Sequence, residues 1–183
     1  MQKITLGEFK AKVNRMIEEI STVDNDYTDD PDIKEKFNDI TNQVMFELFP
    51  YKKSLIHTTE KVTENQEYDL TDEIQDFYQL KKIIGVDYDI DDNIVIFLED
   101  GTAEIYYYKY PKAITSATLN DYKFELPREL IETMAYGVAA DLLKSDVSSN
   151  YGQVYASRYN ERKQMIDSRI SEGSIKIEGG LDV

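Results

Sequence analysis

Cysteine and tryptophan are absent from this chain, and histidine occurs once, at His57. Without cysteine there is neither a disulfide framework nor a thiolate metal site. With one histidine, a Ser-His-Asp arrangement would have to be built on His57, which stands in a threonine-rich stretch with no nucleophile motif nearby. A structural histidine is the plainer reading. Gly-x-Gly-x-x-Gly and phosphate-loop patterns are missing too. No run approaches the ~20 apolar residues that span a bilayer. The opening MQKITLGEFK lacks the apolar core of a signal peptide. The expectation is a protein that is not an enzyme, has no cofactor, metal or membrane partner, and is made in the cytosol.

Basic residues are scarce as well. Lys and Arg number 21 against 36 Asp and Glu, a net charge of −15. That balance excludes an ordinary nucleic-acid binder, which needs a basic face to release counterions. The excess is concentrated: from Glu64 to Glu104 there are 13 acidic and 2 basic residues. Either this is a solvated face that keeps the chain soluble, or a surface that repels a polyanion.

What is present is helical at both ends and strand-like between. Thr5-Leu6-Gly7-Glu8 is a capping box, and Leu6, Phe9, Val13, Ile17 and Ile20 follow at helical spacing, predicting a helix from Leu6 to Ser21. Asp30-Pro31 opens a second helix as cap then proline. Its buried edge is Ile33, Phe37, Ile40, Val44 and Leu48, and Pro50 stops it. Between Tyr51 and Asn120 the period changes to two. Strands are expected over Ser54–Thr63, Glu67–Leu70, Val86–Ile90 and Asn93–Leu98, with Thr71–Phe77 a turn or a single helical turn and Tyr78–Ile84 mostly apolar or amphipathic. Asp100-Gly101 predicts a hairpin into TAEIYYYKY, and Tyr122–Leu126 is a further short strand candidate. The expected product is one compact antiparallel sheet of five or six strands.

From Leu126 the pattern is again helical. Leu130, Met134, Val138 and Leu142, shadowed by Ile131, Ala135, Ala139 and Leu143, make one broad apolar stripe, with Pro127 at the first helical position. Gly137 costs roughly 1 kcal/mol against alanine in mid-helix, so a close backbone neighbour is expected there. A polar turn, SDVSSNYG, leads to a second helix with Tyr155, Tyr159, Ile166 and Ile170 on one edge and Arg158, Arg162, Lys163 and Arg169 around it. The fold class is therefore α+β: a bundle of about four helices with an inserted antiparallel β-domain and an extended C-terminal tail. The divisions are 1–50, 51–125, 126–172 and 173–183.

Fourteen tyrosines suit surfaces that meet other protein, since tyrosine offers contact area and a hydroxyl at low entropy cost. Alternation puts Tyr106 and Tyr108 on the face opposite Tyr107, so one aromatic face is expected to touch something beyond the sheet. Asp87, Asp89 and Asp91 look like the start of a calcium loop, but the sixth position is Asp92 instead of glycine and the twelfth is Leu98 instead of glutamate. The strand reading fits every residue. Ile175 and Ile177 alternate with polar neighbours in the last eleven residues, as in a strand lent to another chain.

The order of a helical start, an inserted β-domain closed by EIYYYKYP, then DYKFELPREL, AYGVAADLLKSD and YASRYNERKQMID resembles the bacteriophage head-to-tail connector or adaptor proteins. That family often shows Leu-Pro-x-Asp at the end of an insertion strand; here Leu70-Thr71-Asp72-Glu73 stands in that place without the proline. The resemblance covers about Thr5 to Ile170. It implies a virion protein of the neck, a ring of twelve copies docked under the portal that extends the channel for DNA, which passes only as cargo. It also implies a portal contact through the tail, at Ile175, Ile177, Leu181 and Val183. Contacts between copies are expected at Tyr155, Arg158, Tyr159 and Arg162, and with downstream neck or tail proteins. The rival readings are another neck or tail-completion protein, or a small acidic metal- or ligand-binding domain at Asp87, Asp89 and Asp91.

Overall fold

The computed structural model describes residues 3–18, 31–144 and 150–171. In chain order they form α1 (Leu6–Glu18), α2 (Pro31–Leu48), a 3-10 turn (Phe49–Lys52), β1 (Ser54–Val62), β2 (Glu67–Asp69), α3 (Leu70–Glu73), β3 (Phe77–Ile84), β4 (Tyr88–Asp91), β5 (Ile94–Phe97), β6 (Gly101–Lys109), α4 (Arg128–Leu142) and α5 (Tyr151–Ser171). The chain is α+β. The tail residues Ile175, Ile177, Leu181 and Val183 lie outside the described residues.

Thr5 and Glu8 cap α1 reciprocally. The Thr5 N–H donates to Glu8 Oε2 at 2.8 Å and the Glu8 N–H to Thr5 Oγ1 at 3.2 Å. Those Thr5 hydrogen bonds hold the Glu8 carboxyl below its ordinary value. The N–H groups of Leu6 and Gly7 then donate to the carbonyls of Tyr122 and Asn120. The strand expected over Tyr122–Leu126 is thereby reduced to one bridge, Thr5 with Lys123: the segment is spent on capping a helix. Phe124 turns inward, fully buried, with its ring edge-on to Phe9 at 5.2 Å.

The apolar stripes of α1, α2, α4 and α5 meet in one core. Phe9, Val13, Phe37, Val44, Leu130, Met134, Val138, Tyr155, Tyr159 and Ile166 are all buried there. Pro127 sits one residue earlier than its expected place, as the N-cap of α4, where its carbonyl accepts from the Ile131 N–H at 3.1 Å. Thr41 on α2 is also fully buried, and among the described residues its hydroxyl has no hydrogen-bond partner. A buried hydroxyl left unpaired costs on the order of 1–3 kcal/mol. Thr41→Val keeps the shape and removes that group, so it is expected to stabilise the chain by about 1 kcal/mol, read as a rise in the urea midpoint at unchanged slope.

The β region holds two three-stranded antiparallel sheets in place of the single sheet expected. Their orders are β1-β6-β3 and β2-β5-β4. The inner faces share a second core of Val62, Tyr68, Phe77, Ile83, Val95, Phe97, Ile105 and Tyr107. The hairpin expected at Asp100-Gly101 does not form. Here β5 pairs with β2 and β4, whereas β6 pairs with β1 and β3, so this turn carries the chain from one sheet to the other. The return crossing, from β3 to β4, runs through Gly85 at φ +97°, where a Cβ would lie 2.4 Å from the Thr102 carbonyl oxygen. Only β4 and β5 form a hairpin across two residues, with Asp92 at φ 55°.

Three aromatic rings join the two cores. Phe49, Tyr78 and Tyr110 pack with centroids 4.7–5.1 Å apart. Beside them Lys109 Nζ meets Glu125 at 2.7 Å and Asp76 at 3.8 Å. The Asn42 amide on α2 holds the segment after β6 to the helical core, donating to the Ile114 carbonyl at 2.8 Å and accepting its N–H at 2.7 Å.

Candidate interaction surfaces

Three surfaces leave large side chains uncovered: the outer side of the α4–α5 hairpin and the outer faces of the two sheets.

On α5 the helical spacing separates two edges. Tyr155 and Tyr159, expected at a contact between copies, are instead buried in the chain's own core. The Tyr155 hydroxyl donates to the Met16 carbonyl at 2.9 Å, tying α5 to α1. Tyr159 lies against Gly137, and its hydroxyl is pushed up by burial and then by the adjacent Glu47 carboxylate. Glu47 pairs with Lys163 across α2 and α5. Burial opposes the Glu47 charge, yet the Lys163 ammonium prevails and holds the carboxyl below its ordinary value. Lys163 is thus committed inside the subunit. The other two contact candidates remain at the surface. Arg158 is exposed, and the Arg162 guanidinium lies 4.8 Å over the Tyr136 ring. With Glu129, Thr133 and Met165 they line an open groove of about 420 Å³ between α4 and α5. Tyr151, Val154 and Met165 are exposed along the outer edge of the same helix.

In the β1-β6-β3 sheet, the residues paired across the strands share a face. The outer face carries the rows Leu55–Tyr108–Gln79, His57–Tyr106–Lys82 and Thr59–Glu104–Ile84. His57 stacks on Tyr106 at 5.2 Å with the ring planes 22° apart, and Lys82 Nζ sits 4.8 Å from the centre of the Tyr106 ring. Lys53 Nζ lies 5.3 Å from the Tyr108 ring. The Tyr106 hydroxyl donates to Glu104 at 2.9 Å, and that bond raises its pKa. Tyr107 faces inward, where burial and then its hydrogen bond to Asp76 push it up to about 12. Alternation had separated Tyr106 and Tyr108 from Tyr107. What sequence reading missed is the company they keep: His57 and Lys82 come from strands paired only through long-range register, and Lys53 from the residue before β1.

The outer face of β2-β5-β4 has the opposite character. Its rows are Asp89–Ile96–Glu67 and Asp91–Ile94–Asp69, carboxylates on either side of isoleucine. Asp69 also caps α3, and the Thr71 hydroxyl and N–H keep it ionised by holding its carboxyl below the ordinary value. Asp87 stands apart from Asp89 and Asp91, before β4, with its N–H donated to Glu99. Among the described residues no group of three His, Cys, Asp or Glu is placed to hold a metal ion, and no helix is long and apolar enough to cross a membrane.

No protein-family model and no curated protein matches this sequence.

Proposed function

We propose that this chain is a structural subunit of a bacteriophage neck, a head-to-tail adaptor that forms a ring beneath the portal and extends the DNA channel towards the tail. One observation supports the reading most. Leu55, Ile84, Ile94, Tyr151, Val154 and Met165 are all more than a third exposed, and they lie on three outer surfaces of a subunit that already has two filled cores. Large apolar side chains gathered on an outer surface mark contact with other protein, and a charge of −15 keeps such a subunit from aggregating before it docks. The order of elements, with a β insertion between helical pairs, is the one that carries the resemblance to connectors.

The test is co-sedimentation and electron microscopy of the full chain with the portal assembly. Rings stacked on portal are expected, with twelve copies by mass. Deleting Gly173 to Val183 is expected to leave the melting temperature within a few degrees of the parent and to abolish portal binding. Normal portal binding by the truncated chain would remove the tail from this account. Failure of the full chain to join portal at all would remove the adaptor reading itself.

A further inference from the structure

We infer that the outer faces of the two sheets are the two halves of one contact between copies of this chain. This rests on the ring reading above and deepens it by naming the surfaces. The inner faces share a core, so the outer faces look to opposite sides of the β unit. One side presents Lys53, Lys61 and Lys82 around a floor of Tyr106, Tyr108 and Leu55, with the single carboxylate of Glu104 taken up by the Tyr106 hydroxyl. The other presents Glu67, Asp69, Asp89 and Asp91 around Ile94 and Ile96, with no basic residue in either row. Cations flank aromatic rings on the first face and carboxylates flank isoleucines on the second. Each face therefore offers an apolar centre with a charged rim, and the rims are opposite in sign. That is the arrangement in which charge fixes partner and register while apolar area supplies adhesion.

Because the two faces differ, a copy that uses one leaves the other free. The contact is heterologous, and it closes into a ring or runs on as a filament. The β1-β6-β3 face is about twice as long as the β2-β5-β4 face, so the smaller face limits the contact. That smaller face, on four-residue strands, measures about 14 Å by 13 Å, from a strand spacing of ~4.8 Å and a rise of ~3.3 Å per residue. That is well below the ~800 Å² a side of a stable pair. Two free copies are therefore held weakly, and closure, in which every copy uses both faces, supplies the rest. Nucleic acid is the other occupant a tyrosine and lysine face can take. The acidic partner is favoured because the chain as a whole repels a polyanion, whereas every copy brings the matching carboxylates.

The absence of native cysteine makes the test clean. Leu55→Cys and Ile94→Cys each place one thiol on one face. Treated with a short bismaleimide, alone and on portal, a mixture of the two single variants is expected to give cross-linked dimers, and neither variant alone should do so. The double variant is expected to give a ladder of multimers. Adding Lys82→Glu to the double variant should cut the ladder at least tenfold, and adding Asp89→Lys and Asp91→Lys as well should restore it. Dimers from either single variant alone would mean like faces meet, and the inference would fall. Rings seen by microscopy without any cross-link would overturn this pairing and leave the ring reading standing. No ring and no cross-link would end both. Binding of a labelled oligothymidylate by the monomer, lost in Lys53→Glu/Lys82→Glu, would give the tyrosine face to nucleic acid and overturn the inference.

Discussion

Phe49→Ala is expected to cost about 3–5 kcal/mol, the range for deleting a buried ring that the surroundings cannot collapse to replace. Phe49 is 3% exposed, at the end of α2. It packs against Tyr78 from β3 and Tyr110 from the segment after β6. Phe49 belongs to the helical core and Tyr78 to a strand of the β unit, so the loss falls on the junction. Calorimetry is expected to show two transitions where the parent shows one, with the β unit and the helical bundle melting apart. Phe46→Ala is the control: that ring is 36% exposed at the rim of the same cluster and should cost about 1 kcal/mol. A single, merely lowered transition in Phe49→Ala would show that the Lys109–Glu125 pair and the Asn42–Ile114 clamp suffice to couple the halves.

Gly137→Val is expected to destabilise by about 3 kcal/mol, at the upper end of what overpacking a filled core costs. A Cβ at this position would stand 2.9 Å from Val44 Cγ1 and 3.0 Å from Tyr159 Cε2, so α2 and α5 are both pushed away from α4. The crowding comes from two side chains, not from the neighbouring backbone that the sequence led one to expect. Val44→Ala removes one of the obstructing methyls. In the double variant Gly137→Val/Val44→Ala the cost should be at least 1 kcal/mol less than the sum of the two single changes, measured by denaturant melts. Simple additivity would mean that the strain is taken up elsewhere.

These two positions also mark how far the sequence could be read. The helices were legible because their signals are local: the Thr5 and Glu8 cap, the proline at the start of α2, and apolar stripes repeating every three or four residues. Strand positions were legible for the same reason, since alternation needs only neighbours. Sheet membership was not. Asp100-Gly101 satisfies the composition of a hairpin turn, yet the glycine is there because a Cβ would lie 2.5 Å from Val86 Cγ1, at the point where the chain changes sheets. A glycine required by crowding and one required by a turn look alike in sequence. The fate of Tyr155 and Tyr159 was hidden by the same gap. Helical spacing puts them on one edge, but only the tertiary approach of α1 and α2 decides that this edge faces inward. The outer sheet faces depend on pairings such as His57 with Tyr106, whose partners are too far apart in the chain for any local pattern to join them.

The first and last residues of the β insertion face each other, Ser54 paired with Lys109. An antiparallel pair brings its Cα atoms to within about 5.5 Å, so the folded insertion presents its entry and exit as neighbours. Without it, bringing α2 to α4 means closing a loop of many tens of residues, a cost that grows with the logarithm of loop length. With the sheets already formed, the same closure spans only the short connections on either side. The expected order of folding is from the middle outward, with the β unit as a clasp that lets the helices meet, and φ-values are expected to be higher in β1 and β6 than in α4. A chain with the insertion replaced by a brief turn should keep the helical bundle and lose only the surfaces that the sheets present.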